Sequence, residues 1–197
     1  MKDLERRNFE VAIEVRADEG EDPVIVGHAA VFNQLSVDLG GFREKIAPGA
    51  FSKAIGGDVR ALFNHDPNLI LGRSVAKTLR LAEDSTGLAV EIDPPATATA
   101  RHVVEAMRRG DVSQMSFGFR TIKDEWTRGE PGEPSIRTLL EVELFDVSPV
   151  TFPAYPQTDV AVRSLETWRA SDADAGEGHE RFRRLLEART RQAETAC

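Results

Sequence analysis

Ser113-Gln114-Met115-Ser116-Phe117-Gly118-Phe119 alternates large apolar residues with small ones at a period of two. In an extended chain Met115, Phe117 and Phe119 point to one face, and Ser116 and Gly118 to the other. A small hydroxyl beside a glycine, backed by a packed hydrophobic face, is rigidly held and still reachable, which is what a nucleophile needs. Ser113 falls before the alternation begins, in the turn after a helix, so Ser116 is the better-held serine.

Short strands surround this one. Phe9, Val11, Ile13 and Val15 alternate with polar residues, Val24 to Phe32 is an apolar run, and Phe42 to Ile46 follows the Gly40-Gly41 turn. Ala47-Pro48-Gly49-Ala50-Phe51 breaks the strand pattern and predicts a short helix through Ile55, closed by Gly56-Gly57. Val59 to Phe63 reads as a strand ending at the turn residues Asn64-His65-Asp66-Pro67. Thr78 to Leu81 and Leu88 to Ile92 flank Asp84-Ser85-Thr86-Gly87 as a hairpin. Thr97 or Thr99 caps a helix over roughly Ala98 to Arg109, with Gly110 as its stop. A long strand over Leu139 to Val147 carries Leu140, Val142 and Leu144 on one face and Glu141, Glu143 and Phe145 on the other. Ser148 to Pro156 holds three prolines and reads as a rigid irregular segment. Many short strands with one or two helices predict a β-rich α+β fold, a barrel of mostly antiparallel strands.

Near Arg163 the composition changes. Ser171 to Gly178 is small and acidic, as a linker is, and Glu180 to Glu194 is charged and helix-favouring. These features divide the chain into a domain over 1–163 and a charged linker and helical tail over 164–197.

The formal net charge of -8 argues against a nucleic-acid partner, which would need a basic face. No apolar run approaches the roughly 18 residues of a membrane span. The charged start, Met1 to Arg7, leads into no signal-like segment, and the lone cysteine, Cys197, allows no intrachain disulfide. The expectation is a soluble intracellular protein. Its four histidines, His28, His65, His102 and His179, lack zinc-ligand spacing, and neither a Walker pattern nor Gly-x-Gly-x-x-Gly occurs, so no metal or cofactor is expected.

His65 stands at the exit of a strand, where a turn presents its side chain. An imidazole there is most often a locally bonded turn residue, yet it is also the commonest general base near neutral pH. A third group would orient the imidazole, and Glu141, Glu143, Asp146 and Asp66 are the candidates. Adjacent residues rarely face each other, which counts against Asp66. Glu141 and Glu143 share a face, so pattern alone does not separate them. The absence of a Gly-x-Ser-x-Gly elbow argues against an α/β-hydrolase, and the order, histidine then serine then acid, matches neither chymotrypsin nor subtilisin.

Five blocks resemble the prohead maturation serine proteases of tailed bacteriophages. They are Gly27-His28-Ala29-Ala30-Val31-Phe32; Glu44 to Phe51 with its Pro48-Gly49-Ala50-Phe51; Asn64-His65-Asp66 with Leu71-Gly72-Arg73; Met115 to Phe119; and Glu141 through Asp146-Val147-Ser148-Pro149 to Pro156. The resemblance covers roughly Val24 to Val162. It implies a fold similar to the herpesvirus maturation proteases, a β-barrel surrounded by helices, with Ser116 as nucleophile and His65 as general base. The herpesvirus enzymes use a second histidine as third member. No histidine follows Ser116 here except His179 in the tail, so a carboxylate substitutes, and Glu141 occupies the corresponding region. The implied substrates are the scaffold, or the scaffold-like extension of the major capsid protein, and the protease itself, cut inside the assembling procapsid in the host cytoplasm. A concentration-dependent homodimer is implied as well. The tail either targets the enzyme to the scaffold, is removed by self-cleavage, or is a plain flexible appendage. The alternative to an enzyme is a catalytically silent capsid-assembly protein of the same fold, against which the intact His65 and Ser116 argue.

Overall fold

Two strands organise the molecule. In the computed structural model, which describes residues 4–10, 13–17, 22–130, 132–152 and 163–172, β9 (Gln114–Thr127) and β10 (Ser135–Val150) form a long antiparallel ribbon. The outer edge of β9 takes β1 (Glu5–Glu10), antiparallel, and β5 (Arg60–Phe63) leads on to β6 (Asp66–Arg73), giving the order β1-β9-β10-β5-β6. The free edge of β10 is shared: Ser135 to Leu139 pair in parallel with β4 (Phe42–Ile46), and Asp146 and Val147 pair in parallel with β5. A second sheet has the order β2-β3-β8-β7, from Glu14–Arg16, Val24–Val31, Gly87–Ile92 and Leu79–Glu83. The fold is thus β-rich α+β. Its strands lie in two mixed or antiparallel sheets, and no closed barrel is found among the described residues.

One apolar cluster joins the sheets. Met115, Phe117 and Phe119 of β9 are fully buried, as the alternation predicts, together with Ile25, Leu88, Val90 and Ile92 of the second sheet. Phe117 stacks on Phe119 at 4.8 Å and meets Phe51 edge-on at 5.5 Å. Each such ring removed from water stabilises the fold by about 1.5–3 kcal/mol. Helix α1 (Ala98–Arg108) adds Ala100, Val103, Val104 and Met107, with Thr97 accepting from Ala100 N at its start and Gly110, at φ +81°, just beyond its end. His102 is exposed on this helix. A smaller cluster of Leu39, Phe42, Trp126, Leu165 and Trp168 docks a second helix, α2, over 163–172 against β9 and β4. Packed structure therefore continues beyond the composition change at Arg163. The linker and tail from residue 173 onward, and Pro153 to Pro156, lie outside the described residues.

The segment after Pro48 differs from the expected helix. Hydrogen bonds from Ala50 N to Ala47 O, Ser52 N to Gly49 O, Ala54 N to Phe51 O and Gly57 N to Ala54 O each span three residues, so 48–56 is a run of turns. Gly49, at φ +91°, cannot sit in a right-handed helix. Glu83 fixes the run from outside, accepting from Phe51 N and Ser52 Oγ at 2.9 Å each. These turns separate β4 from β5 along the edge of β10.

Charge holds β1 in place. Glu5, Arg7, Glu44 and Arg137 are each at most 5% exposed, although the first two belong to an N-terminal run that looks wholly surface-like. Arg7 bonds Glu44 at 2.7 Å and Glu5 at 2.7 Å, and Arg137 bonds Glu5 at 2.9 Å, Glu44 at 3.1 Å and Asp124 at 2.6 Å. Burial alone would push the Glu5 carboxyl up. Arg7 and Arg137, with a hydrogen bond from Thr121, more than offset that and hold it below the ordinary carboxylate value. The same opposition leaves both guanidinium groups firmly charged.

Candidate active site

The turn between β5 and β6 is only two residues long, because Phe63 pairs with Asp66. A two-residue hairpin loop whose twist matches its strands needs positive φ at both central residues. Asn64 and His65 supply it, at φ +54° and +57°. Asparagine adopts this conformation readily. A histidine in the second position, where glycine is favoured, is held there by its surroundings at a cost of about 1–3 kcal/mol. The surroundings are the end of β10: Asn64 N donates to Pro149 O at 3.0 Å, Thr151 N donates to Asn64 Oδ1 at 2.8 Å, and Asn64 Nδ2 donates to Thr151 Oγ1 at 3.2 Å.

This turn swings the imidazole back over β10 toward β9. His65 Nε2 lies 2.7 Å from Ser116 Oγ, and His65 Nδ1 lies 2.5 Å from Asp146 Oδ2. The same carboxylate oxygen accepts from Ser148 Oγ at 2.7 Å. Ser116 and Ser148 stand directly opposite in the ribbon, and Gly118 stands opposite Asp146. A Cβ on Gly118 would lie closer to Asp146 Oδ1 than the 3.0 Å that real Cβ atoms respect, so the bare glycine is what admits the carboxylate. Ser148 and Gly118 thus fix Asp146 on two sides.

His65 and Ser116 are brought together as expected, but Glu141 is not part of this cluster. Its carboxylate pairs with Lys53 at 2.8 Å on a face where the lysine side chain is 77% exposed. Glu143 pairs with Arg120, and Asp66 accepts from Asn68 N and Nδ2 at the start of β6. Asp146 takes the position at the imidazole because β10 is bulged. Leu144 opposes Phe119 and Asp146 opposes Gly118, leaving Phe145 as an extra residue. Strict alternation would place Asp146 with Leu144 on the core face. One inserted residue moves it to the face of Ser116 and Gly118.

One expectation about Ser116 is corrected. It is rigidly held, but it is 0% exposed rather than reachable, walled by β1 and β10 on either side with His65 across it. Elsewhere, His28 Nε2 pairs with Asp84 at 2.8 Å, and backbone N–H groups of Gly87 and Thr86 together with His28 lower the Asp84 carboxyl to about 2. Among the described residues no group of three or more histidine, cysteine, aspartate or glutamate side chains could hold a metal ion. No helix of theirs is long and apolar enough to cross a membrane.

A hydroxyl, an imidazole and a buried carboxylate joined in line by hydrogen bonds are the arrangement that serine hydrolases use. On a β-rich scaffold with no nucleophile elbow, this arrangement is that of a serine hydrolase outside the α/β-hydrolase class. The family model for the caudovirus prohead serine proteases matches residues 11–171, and the chain belongs to that family. It is 32% identical over 165 residues to the prohead protease of Enterobacteria phage HK97, covering 76% of this chain and 68% of that protein. The fold is similar to that of the bacteriophage T4 capsid assembly protease, with a TM-score of 0.51 at 13% identity, covering 76% of this chain and 98% of the other.

Proposed function

We propose that this chain is a capsid-maturation endopeptidase in which Ser116 is the nucleophile, His65 the general base and Asp146 the residue that orients the imidazole. The observation that carries the reading is the single imidazole bridging Ser116 Oγ and Asp146 Oδ2 at 2.7 and 2.5 Å. Asp146 accepts from Nδ1–H, which leaves Nε2 free of hydrogen and facing the hydroxyl. As Oγ attacks the scissile carbonyl carbon, its proton passes to Nε2. When the tetrahedral intermediate collapses, Nε2 returns a proton to the leaving amine, and water activated by the same nitrogen hydrolyses the acyl-enzyme.

The substrates we infer are the scaffold, or a scaffold-like extension of the major capsid protein, together with this chain itself. The names of the HK97 and T4 relatives support action inside the procapsid. The reading is tested by co-expressing the chain with its cognate capsid and scaffold proteins and measuring intact masses. Wild type gives shortened products, and Ser116→Ala gives full-length chains with an unaltered fold. Unchanged processing by Ser116→Ala would overturn the assignment.

A further inference from the structure

An attacked carbonyl needs donors for the negative charge that develops on its oxygen, and they must approach from the side away from the base. The ribbon register shows what stands there. Across the sheet, Asn8 of β1, Ser116 of β9 and Ser148 of β10 form one row, directly opposite one another. Directly opposed residues project from the same face with Cβ atoms about 4.5–5.5 Å apart. His65 enters this row from the β10 and β5 side, so Asn8 is Ser116's neighbour on the far side from the imidazole. The hydroxyl on the near side, Ser148 Oγ, is committed to Asp146.

We propose that Asn8 is a catalytic residue whose carboxamide Nδ2 donates a hydrogen bond to the oxyanion, an inference that rests on Ser116 being the nucleophile. The Oγ–C bond forms and the carbonyl electron pair moves onto oxygen. The Oγ proton goes to His65 Nε2, and an Asn8 N–H meets the oxygen on the opposite side. Collapse restores the carbonyl, breaks the C–N bond and returns the proton to the amine.

Stabilisation of this kind depends on the donor being fixed before the charge appears. Asn8 is fixed by the residues that precede it in β1. Glu5 and Arg7 project from the opposite face into the buried ion cluster with Glu44 and Arg137, and Asn8 itself is half-buried. The cluster thereby acquires a task beyond stability, since it holds the N-terminal strand in the register that puts an amide beside the nucleophile.

The test uses the full chain with its cognate capsid precursor, in the variants Asn8→Ala, Asn8→Leu (similar shape, no donor) and Asn8→Asp (similar shape, repelling charge). Each folded variant, judged by its thermal midpoint, is expected to lose about 10²–10³ in kcat with little change in KM. Affinity for a peptide aldehyde, whose serine adduct places an oxyanion in the same position, falls in parallel. Asn8→Leu or Asn8→Asp retaining kcat within about 3-fold of wild type, while Ser116→Ala is inactive, overturns the proposal. Cleavage by Ser116→Ala would instead remove the nucleophile assignment on which it rests.

Discussion

Replacing Gly118 with alanine tests the carboxylate's placement with one methyl group. The new Cβ would fall inside the closest approach of Asp146 Oδ1 and lie 3.3 Å from its Cγ. An ordinary contact begins at 3.4 Å, so the oxygen must retreat by about 1 Å, a displacement that at a reacting centre costs on the order of 10² in rate. The carboxylate has little room to do so without loss. Its other oxygen is held by His65 Nδ1 at 2.5 Å and Ser148 Oγ at 2.7 Å, so turning it away from the methyl breaks one of those bonds. Gly118→Ala is therefore expected to cleave capsid precursor about 10²-fold more slowly, with KM nearly unchanged and the β-sheet circular dichroism retained. Stability falls too, because Asp146 is only 7% exposed and must repack. The assay is the single-turnover rate on purified precursor beside a melting curve for each protein. A folded Gly118→Ala that cleaves at the wild-type rate would show that the Asp146 position is not what the reaction depends on.

The contacts of Asp146 and the buried ion cluster each support a further prediction. Asp146→Asn should lower kcat by about 10⁴, because the amide no longer selects the tautomer that leaves Nε2 free, whereas Glu141→Gln should cleave at nearly the wild-type rate. The surface pair of Glu141 with Lys53 is worth only about 0–1 kcal/mol, and cleavage rates that reverse this ranking would return Glu141 to the site. The buried ion cluster sets an acid limit on stability. Glu5 has a folded value held below its ordinary 4.5, so its contribution is fully present above that pH and is lost as pH falls through the depressed value. Urea midpoints should decline below about pH 4.5 in wild type and decline less steeply in Glu5→Gln, and parallel curves would refute the assignment.

Most of the scaffold was legible because it obeys local rules. The alternation in Met115 to Phe119, the hairpin around Asp84-Ser85-Thr86-Gly87 and the helix capped at Thr97 or Thr99 each follow from periodicity or turn chemistry, and each is present, with Thr97 as the cap. His65 and Ser116 were legible for the same reason, one at a turn and the other on the small face of a strand. The third partner was not. Periodicity assigns faces only while register is unbroken, and the extra residue at Phe145 transfers Asp146 from the core face to the face of Ser116. One available signal was Gly118 itself, a side-chain-free position two residues from Ser116 on the same face. Glu5 and Arg7 escaped notice for a different reason. Each is an ordinary surface residue alone, and only strand pairing from distant segments brings Glu44 and Arg137 to them.

The site is built where the local rules fail. A non-glycine residue at φ +57° costs about 1–3 kcal/mol, and a bulge gives up ladder pairing, yet both sit within the same hydrogen-bonded cluster. Each deviation is needed for the other to matter. Without the left-handed turn the imidazole would not fold back over β10, and without the bulge no carboxylate would meet it there. What sustains them is the rigidity of the flanking structure: the Asn64 and Thr151 clasp on one side, and the stacked Phe117 and Phe119 beneath Ser116. The strain therefore has a direction. Freeing Asn64 from Thr151 is therefore expected to loosen the hold on His65 before it disturbs the core.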